Sequence, residues 1–298
     1  MTATRSTPLA MRLLVASRPV SWVNTAFPFG AAYLLTTGAV DALFVVGSLF
    51  FLVPYNLLMY GVNDVFDYES DLRNPRKGGA EGALLPPETH RAVLAWCTVA
   101  TVPFVVAMVV LGGTDAPWSW LVLAVSLFAV LAYSMPPLRF KERPVLDSIT
   151  SSTHFVSPAV YGLAVAGATF TPQLLALLAA FFLWGMASHA FGAVQDVVPD
   201  READIASIAT VFGARATVRI AIGMWLAAGV LMLLTAWPGP LAAILAVPYV
   251  LAAWPYRSVA DDDSGRSNRG WRMFLWLNYA SGFAVTMLLI AWAFVRVG

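Results

Sequence analysis

The sequence contains a single cysteine, Cys97, which lies within an apolar run. One cysteine cannot form an internal disulfide framework or a cysteine-based metal site. Charged residues are also scarce: they make up 12% of the chain, against about 25% in a typical soluble domain. Hydrophobic residues make up 59% of the 298 positions and fall in long blocks. This scarcity of charge, together with the length of the blocks, excludes an ordinary soluble domain and indicates a polytopic membrane protein.

Nine apolar segments have the roughly 17–25 residues that a membrane-spanning helix needs. Pro54 lies within the second segment, where it predicts a kink. The seventh and eighth segments are separated only by a short turn at 237–240, so the count depends on that turn. We expect an all-α membrane protein with nine transmembrane helices in a single domain over residues 1–298. The segments cover residues 20–37, 42–63, 92–111, 117–135, 146–166, 171–195, 216–237, 239–256 and 272–295.

Lys and Arg are missing from every second loop of this arrangement. With nine spans, every Lys and Arg except Arg296 lies on one side of the membrane. Because cytoplasmic loops carry the excess of these residues, the pattern places the N-terminus in the cytoplasm and the C-terminus outside. The stretch before the first segment lacks an obvious small-residue cleavage site, so we interpret it as a cytosolic leader. We expect a multi-pass protein of the plasma membrane with no nucleic-acid partner.

The first of two acidic clusters lies at the end of the second segment. It follows the pattern N-D-x-x-D-x-x-x-D, formed by Asn63, Asp64, Asp67 and Asp71. On a helix, the spacing i, i+3, i+7 places all three carboxylates on one face. Asn63 lies beside them and adds a neutral oxygen.

The second acidic cluster lies at the end of the sixth segment. Asp196, Asp200 and Asp204 are spaced i, i+4, i+8. This spacing again gives a single helical face, provided that Pro199 occupies a turn that tolerates proline.

Both clusters are expected at the C-terminal, cytoplasmic ends of helices. Carboxylates there oppose the helix dipole and repel one another, so they need cations nearby. Oxygen ligands without His or Cys suit a hard cation, and Mg²⁺ is the one usually shared between carboxylates and substrate phosphates. Solvated loop charges are the alternative explanation, but two clusters at matching helix ends favour a functional site near the cytoplasmic face.

Basic residues accompany the clusters. Arg73 and Lys77 follow the first cluster, and Arg139 and Lys141 lie in the loop after the fourth segment. Carboxylates that hold Mg²⁺ beside Lys and Arg form a site for a diphosphate. Membrane topology alone is the alternative explanation, since cytoplasmic loops are generally basic.

These residues resemble the motifs of the UbiA superfamily of intramembrane prenyltransferases. The first family motif is matched in full by 63–71, and the second, D-x-x-x-D, is matched by 196–200. A Y-x-x-P-P-x-R-x-K loop is matched in outline at 133–141. The resemblance implies Mg²⁺-dependent transfer of a prenyl group from a prenyl diphosphate. It implies catalytic roles for Asp64, Asp67, Asp71, Asp196, Asp200, Lys77, Arg139 and Lys141, and substrate contacts for Asn63, Arg73, Tyr133 and Asp204.

The chain departs from the family after the second motif. Many members have a glycine followed by Lys-Ser or Lys-Thr, whereas this sequence has Asp204, Ala206 and Ser207. Asp204 is therefore either a further metal ligand or a solvated residue just past the site.

A closer resemblance is to the bacterial lycopene elongases, and it rests on the stretches 17–25, 60–71, 151–155 and 274–279. It implies that dimethylallyl diphosphate is the donor and that lycopene, dissolved in the bilayer, is extended to fifty carbons. A carotenoid cyclase would be a natural partner.

Two alternatives stay open at this point. The same fold could prenylate an aromatic or quinone-precursor acceptor, because the aspartate motifs serve only the donor. A cation-coupled transporter could use the acids as its pathway. That function favours ionisable groups near the bilayer midplane, whereas here all Asp and Glu residues except Asp41 and Asp115 gather on one side.

Overall fold

The computed structural model of the chain describes residues 7–72, 83–114 and 116–297. Throughout these ranges the regular secondary structure is helical, without β-strands. The chain divides into two compact units. The first unit comprises Met1–Arg139 and Ser157–Ala168, and the second comprises Phe140–Val156 and Thr169–Gly298.

The first unit contains the helices of the first half of the chain. They are α1 (Leu9–Ala16), α2 (Val23–Thr37), α3 (Ala42–Leu52), α4 (Pro54–Phe66), α5 (Tyr68–Asp71), α6 (His90–Gly112) and α7 (Pro117–Ser134). Helix α8 (Leu146–Val165) begins in the second unit and ends in the first.

The second unit contains the remaining helices. They are α9 (Pro172–Val194), α10 (Val197–Glu202), α11 (Ile208–Phe212), α12 (Ala214–Met232), α13 (Ala246–Ala253) and α14 (Asn268–Val297). Short 3₁₀ helices, Gly239–Leu245 and Trp254–Tyr256, flank α13.

Helices occupy all nine of the segments predicted to span the membrane. Seven helical stretches of the described residues are long and apolar enough to cross: Ala42–Phe66, Pro87–Gly112, Pro117–Ser134, Pro172–Val194, Ala214–Met232, Gly239–Tyr256 and Asp261–Val295. Helix α2 has only 15 residues, and the first half of α8 is rich in Ser and Thr. Seven candidate spans are therefore found, while the count of nine and the orientation stay predictions.

Large apolar side chains cover much of the molecular surface. Trp276 is 77% exposed and Phe294 is 75% exposed, and both belong to α14. Soluble proteins rarely expose apolar patches of this extent, whereas lipid covers them in a bilayer. The chain is a multi-pass membrane protein.

At the predicted kink, the helix is interrupted at one residue, Val53, between α3 and α4. The last carbonyls of α3 lose their backbone donors at this break, as at any helix end. Side chains replace them: the hydroxyl of Thr25 donates to the Phe51 carbonyl at 2.6 Å, and the Asn56 amide donates to the same oxygen at 2.9 Å. The break therefore has its own hydrogen bonds, and it sets the direction of the helix that carries the first aspartate motif.

Each unit has an aromatic core around a motif-bearing helix. In the first unit, rings from α2, α3, α4 and α8 pack together: Phe29, Phe50, Phe51, Tyr55 and Tyr161. In the second unit, rings from α9, α12, α13 and α14 pack together: Trp184, Phe191, Trp225, Tyr249 and Phe274. Buried aromatic side chains contribute large apolar areas, so these clusters hold α4 and α9 in place.

Candidate functional site

The first aspartate motif follows a helical path across the junction of α4 and α5. The Asp67 N–H donates to the Asn63 carbonyl at 2.9 Å, and the Asp71 N–H donates to the Asp67 carbonyl at 2.8 Å. This continuous pattern puts Asp64, Asp67 and Asp71 on one face, as their spacing predicts. All three are buried: Asp64 is fully inaccessible, and the other two are less than a tenth exposed.

Both carboxylate oxygens of Asp64 accept hydrogen bonds. The Arg18 guanidinium donates to one at 2.9 Å. The backbone N–H of Ala83 donates to the other at 3.1 Å. Charge-assisted bonds of this kind hold a buried carboxylate in a fixed orientation.

The loop after α7 brings Arg139 to the first motif. Its guanidinium makes a long contact with the Phe66 carbonyl, at 3.5 Å, and lies 3.9 Å from the Asp67 carboxylate. A cation at this position complements the C-terminal end of α4. From α7, the Ser134 hydroxyl donates to the Asn63 side-chain oxygen at 2.9 Å.

Of the three other predicted basic residues, the structure describes Lys141 alone. Arg73 and Lys77 lie outside the described residues. Lys141 lies in the second unit, in a 3₁₀ turn at Phe140–Glu142. Tyr133 is half-buried near the end of α7, one residue before Ser134.

The second motif lies at the junction of α9 and α10. Asp196 precedes α10 and Asp200 lies within it, and the Asp200 N–H donates to the Asp196 carbonyl at 2.9 Å. Pro199 is the third residue of α10, where a missing N–H breaks no helical hydrogen bond. Asp196 and Asp200 therefore share a helical face, as the spacing predicts.

The expected continuation of this face to Asp204 is not found. Helix α10 ends at Glu202, and Asp204 has a left-handed backbone with φ 55°. Its side chain is exposed. These observations favour the solvated interpretation of Asp204 over a further metal ligand.

The segment that carries the second motif is anchored by Asp147, which sequence reasoning did not single out. Asp147 is fully buried at the start of α8. Its carboxylate accepts the backbone N–H of Ile208 at 2.7 Å and that of Ser148 at 2.6 Å. The Ser148 hydroxyl lies 3.1 Å from Nδ1 of His189 on α9. The signal in the sequence was a carboxylate opening a stretch rich in Ser and Thr within an apolar segment.

A second anchor involves Arg201, which follows the motif directly. Its guanidinium donates to the Thr210 carbonyl at 2.7 Å and pairs with Asp261 at 2.7 Å. Asp261 in turn accepts the N–H of Ala214, the first residue of α12. The chain that follows the second motif is thus held at Arg201 and at Ile208.

The donor chemistry of the two motifs fits a hard divalent cation. Throughout the described residues, no three His, Cys, Asp or Glu side chains converge as a ready metal-binding group. Mg²⁺ does not need such a group, because it usually takes one or two carboxylates together with substrate phosphates and water. The buried carboxylates of the first motif supply oxygen ligands of this type.

These features define a multi-pass membrane protein with two aspartate motifs, each at the C-terminal end of an apolar helix. The chain matches the UbiA prenyltransferase family over residues 25–278. It belongs to that family and is a prenyltransferase. Family membership removes the support for a cation-coupled transporter.

Curated relatives align over nearly the whole chain. One is the lycopene elongase/hydratase of Corynebacterium glutamicum, 51% identical over 280 residues that cover 94% of this chain and 96% of the relative. Another is the C(50) beta-cyclic carotenoids biosynthesis protein LbtBC of a Dietzia species, 55% identical over 283 residues. That alignment covers 95% of this chain but 65% of the longer Dietzia protein.

The fold is also similar to that of solved structures. A UbiA homologue from Archaeoglobus fulgidus, bound to DMAPP and Mg²⁺, superposes with a TM-score of 0.65. The match covers 91% of this chain and 98% of the homologue, at 18% identity. At that identity the likeness establishes the fold alone.

Proposed function

We propose that this prenyltransferase transfers dimethylallyl groups from dimethylallyl diphosphate to the ends of lycopene, giving a fifty-carbon carotenoid. The observation that carries the proposal is the 51% identity, over 94% of the chain, to a protein named lycopene elongase/hydratase. The Archaeoglobus homologue bound to DMAPP and Mg²⁺ supports the donor and the metal. The aspartate motifs support the donor only, so the acceptor is inferred from the relatives.

The two motifs would hold Mg²⁺ through side-chain oxygens. The residues are Asn63, Asp64, Asp67 and Asp71 of the first motif, and Asp196 and Asp200 of the second. When bound, the cation would neutralise negative charge on the diphosphate as it leaves. Oxygen ligands and the burial of the first motif support this assignment.

Basic side chains of the chain would stabilise the same leaving group. The Arg139 guanidinium reaches the C-terminal end of α4, 3.9 Å from the Asp67 carboxylate. Its planar fork suits diphosphate oxygens. We assign related roles to Arg73 and Lys77, which follow the first motif in the sequence, and to Lys141, whose loop is predicted on the same side of the membrane. Because Asp204 is exposed beyond the end of α10, it would contact only the outer part of the substrate.

The chemistry at the acceptor follows from the loss of diphosphate. Breaking the allylic C–O bond leaves an allylic cation, which the terminal double bond of lycopene attacks. The tertiary cation that results must lose a proton or capture water, and the word hydratase in the relative's name supports water capture. Tyr133 neighbours Ser134, which contacts the first motif, and its ring would stabilise the allylic cation.

The cellular setting completes the proposal. Residues 1–298 would act as one domain in the plasma membrane, with the site near the cytoplasmic face where the soluble donor is available. Lycopene would enter from the bilayer, and a carotenoid cyclase would act on the product.

The test uses membranes that contain the full chain. Lycopene and labelled dimethylallyl diphosphate are added with Mg²⁺ or with EDTA, and the extracted pigments are separated. We expect Mg²⁺-dependent label in carotenoids larger than lycopene, lost in Asp67→Asn and Asp196→Asn but retained in Asp262→Asn, an exposed control. Label in an aromatic acceptor but in no carotenoid would instead support the alternative acceptor.

A further inference from the structure

Arg18 has no part in the mechanism above, yet it lies directly on the first motif. Its guanidinium donates to Asp64 at 2.9 Å. The centre of the guanidinium also lies 4.1 Å from the centre of the Tyr60 ring. Tyr60 and Asp64 are one helical turn apart on α4, so the arginine side chain lies along the face that carries the aspartates.

The backbone around Arg18 holds this position. Arg18 adopts a left-handed conformation with φ 49° and ψ 73° between α1 and the turn at Pro19–Ser21. Residues other than glycine keep this conformation only where the surroundings enforce it. The Trp22 indole N–H donates to the Ser17 carbonyl at 3.0 Å and closes the turn around the arginine.

The guanidinium keeps donor capacity that Asp64 does not use. Its Nε is buried and has no hydrogen-bond acceptor within the part of the chain that the structure describes. Buried donors are nearly always paired. The five N–H groups of an arginine form a fork that matches phosphate oxygens. The position of Arg18 therefore suits an anionic ligand that arrives next to the first motif.

The charge of Arg18 also affects cation binding at Asp64. A divalent cation that binds Asp64 alone meets a fixed positive charge on the same carboxylate, and this repulsion is stronger in a buried site than in water. A diphosphate that arrives with the cation offsets the repulsion and accepts the unused N–H groups. Metal and diphosphate together are then favoured over metal alone.

We propose that Arg18 is a diphosphate-binding residue that makes cation binding at the first motif depend on the diphosphate. It neutralises Asp64 before the donor arrives and donates to diphosphate oxygens afterwards. The inference rests on the proposed function, because it assumes that the first motif binds a metal–diphosphate complex.

The test measures binding, not turnover. The full chain in detergent is titrated with Mn²⁺, with and without inorganic diphosphate, and bound Mn²⁺ is followed by electron paramagnetic resonance. In the unmodified protein, diphosphate should tighten Mn²⁺ binding by roughly tenfold, a usual strength for two coupled ligands. Arg18→Gln should bind Mn²⁺ alone more tightly and lose most of that enhancement. Arg18→Lys keeps the charge but not the fork, so it should bind Mn²⁺ alone as the unmodified protein does, with a smaller enhancement.

Arg12→Gln is the matched control. It removes the same charge six positions earlier, where Arg12 donates to the Thr7 carbonyl, and it should behave as the unmodified protein. An undiminished enhancement in Arg18→Gln, with its unfolding temperature unchanged, would overturn the inference. If Arg18→Gln does not fold, an undiminished enhancement in Arg18→Lys overturns it equally. Absence of diphosphate-dependent Mn²⁺ binding in the unmodified protein would count against the proposed function itself.

Discussion

At the scale of single residues, the motifs are held by side chains far away in the sequence. Arg18 reaches Asp64 across 46 positions, and Asp147 reaches Ile208 across 61. Spacing within one helix predicted the shared faces of the aspartates, because helical geometry is local. It could not predict these two anchors, because they depend on how distant segments pack.

Asp147 provides a direct test at this scale. Asp147→Ala leaves the buried Ile208 N–H without its acceptor, which should lower the free energy of unfolding by about 1–3 kcal/mol. Because Ile208 follows the segment that carries Asp196 and Asp200, the KM for the donor should rise more than kcat falls. Thermal unfolding and donor titrations measure the two effects.

Asp147→Asn is the control for this variant, since it keeps one acceptor oxygen and should be affected less. An unchanged unfolding temperature in Asp147→Ala would contradict the anchoring role. A fall in kcat at unchanged KM would instead indicate direct participation in the chemistry.

At the scale of helices, apolar length is a strong signal, and seven helical stretches of the described residues are long and apolar enough to cross a membrane. Their internal breaks were harder to predict. The segment 239–256 is a helix flanked by two 3₁₀ turns. It contains Pro240, Pro248 and Pro255, which remove backbone donors and interrupt regular helix. Hydropathy does not register such interruptions. In α8, by contrast, polar residues lower the mean hydropathy although the helix is present.

The start of α3 carries a carboxylate cap, Asp41. The side chain of Asp41 accepts the Phe44 N–H at 2.9 Å and the Tyr33 hydroxyl at 2.8 Å. These two bonds hold the pKa of the Asp41 carboxyl below its usual value, and the bond from Phe44 has the larger effect. A lowered pKa in the folded state means that the carboxylate stabilises the fold at neutral pH. This contribution is lost as the pH falls through the folded pKa.

Asp41→Ala should therefore lower the unfolding temperature at pH 7, with a loss of about 1 kcal/mol, as for other N-caps. The difference from the unmodified protein should shrink as the pH falls below about 4, the usual pKa of aspartate. Asp41→Asn keeps the capping oxygen, so its unfolding temperature at neutral pH should lie between those of the unmodified protein and Asp41→Ala. A difference that stays constant with pH would show that the charge of Asp41 does not contribute.

At the scale of the whole molecule, charge asymmetry predicts nine crossings, and α2 and α8 are the two predicted crossings outside the seven candidate spans of the described residues. If α8 crosses, Arg143 and Thr169, which are both exposed, lie on opposite sides of the membrane. In a Cys97→Ala background, Thr169→Cys should react with an impermeant maleimide in intact cells, and Arg143→Cys only after permeabilisation. Equal labelling of both in intact cells would place both ends of α8 on one side and contradict the predicted orientation.

The central claim is that this chain elongates lycopene, and its products in a living cell test that most directly. The chain is expressed in cells that accumulate lycopene and have no elongase, and their pigments are analysed by mass spectrometry. We predict carotenoids heavier than lycopene by one and two five-carbon units, with or without added water, and none with Asp67→Asn. Unaltered lycopene, in cells whose membranes contain the folded protein, would contradict the account.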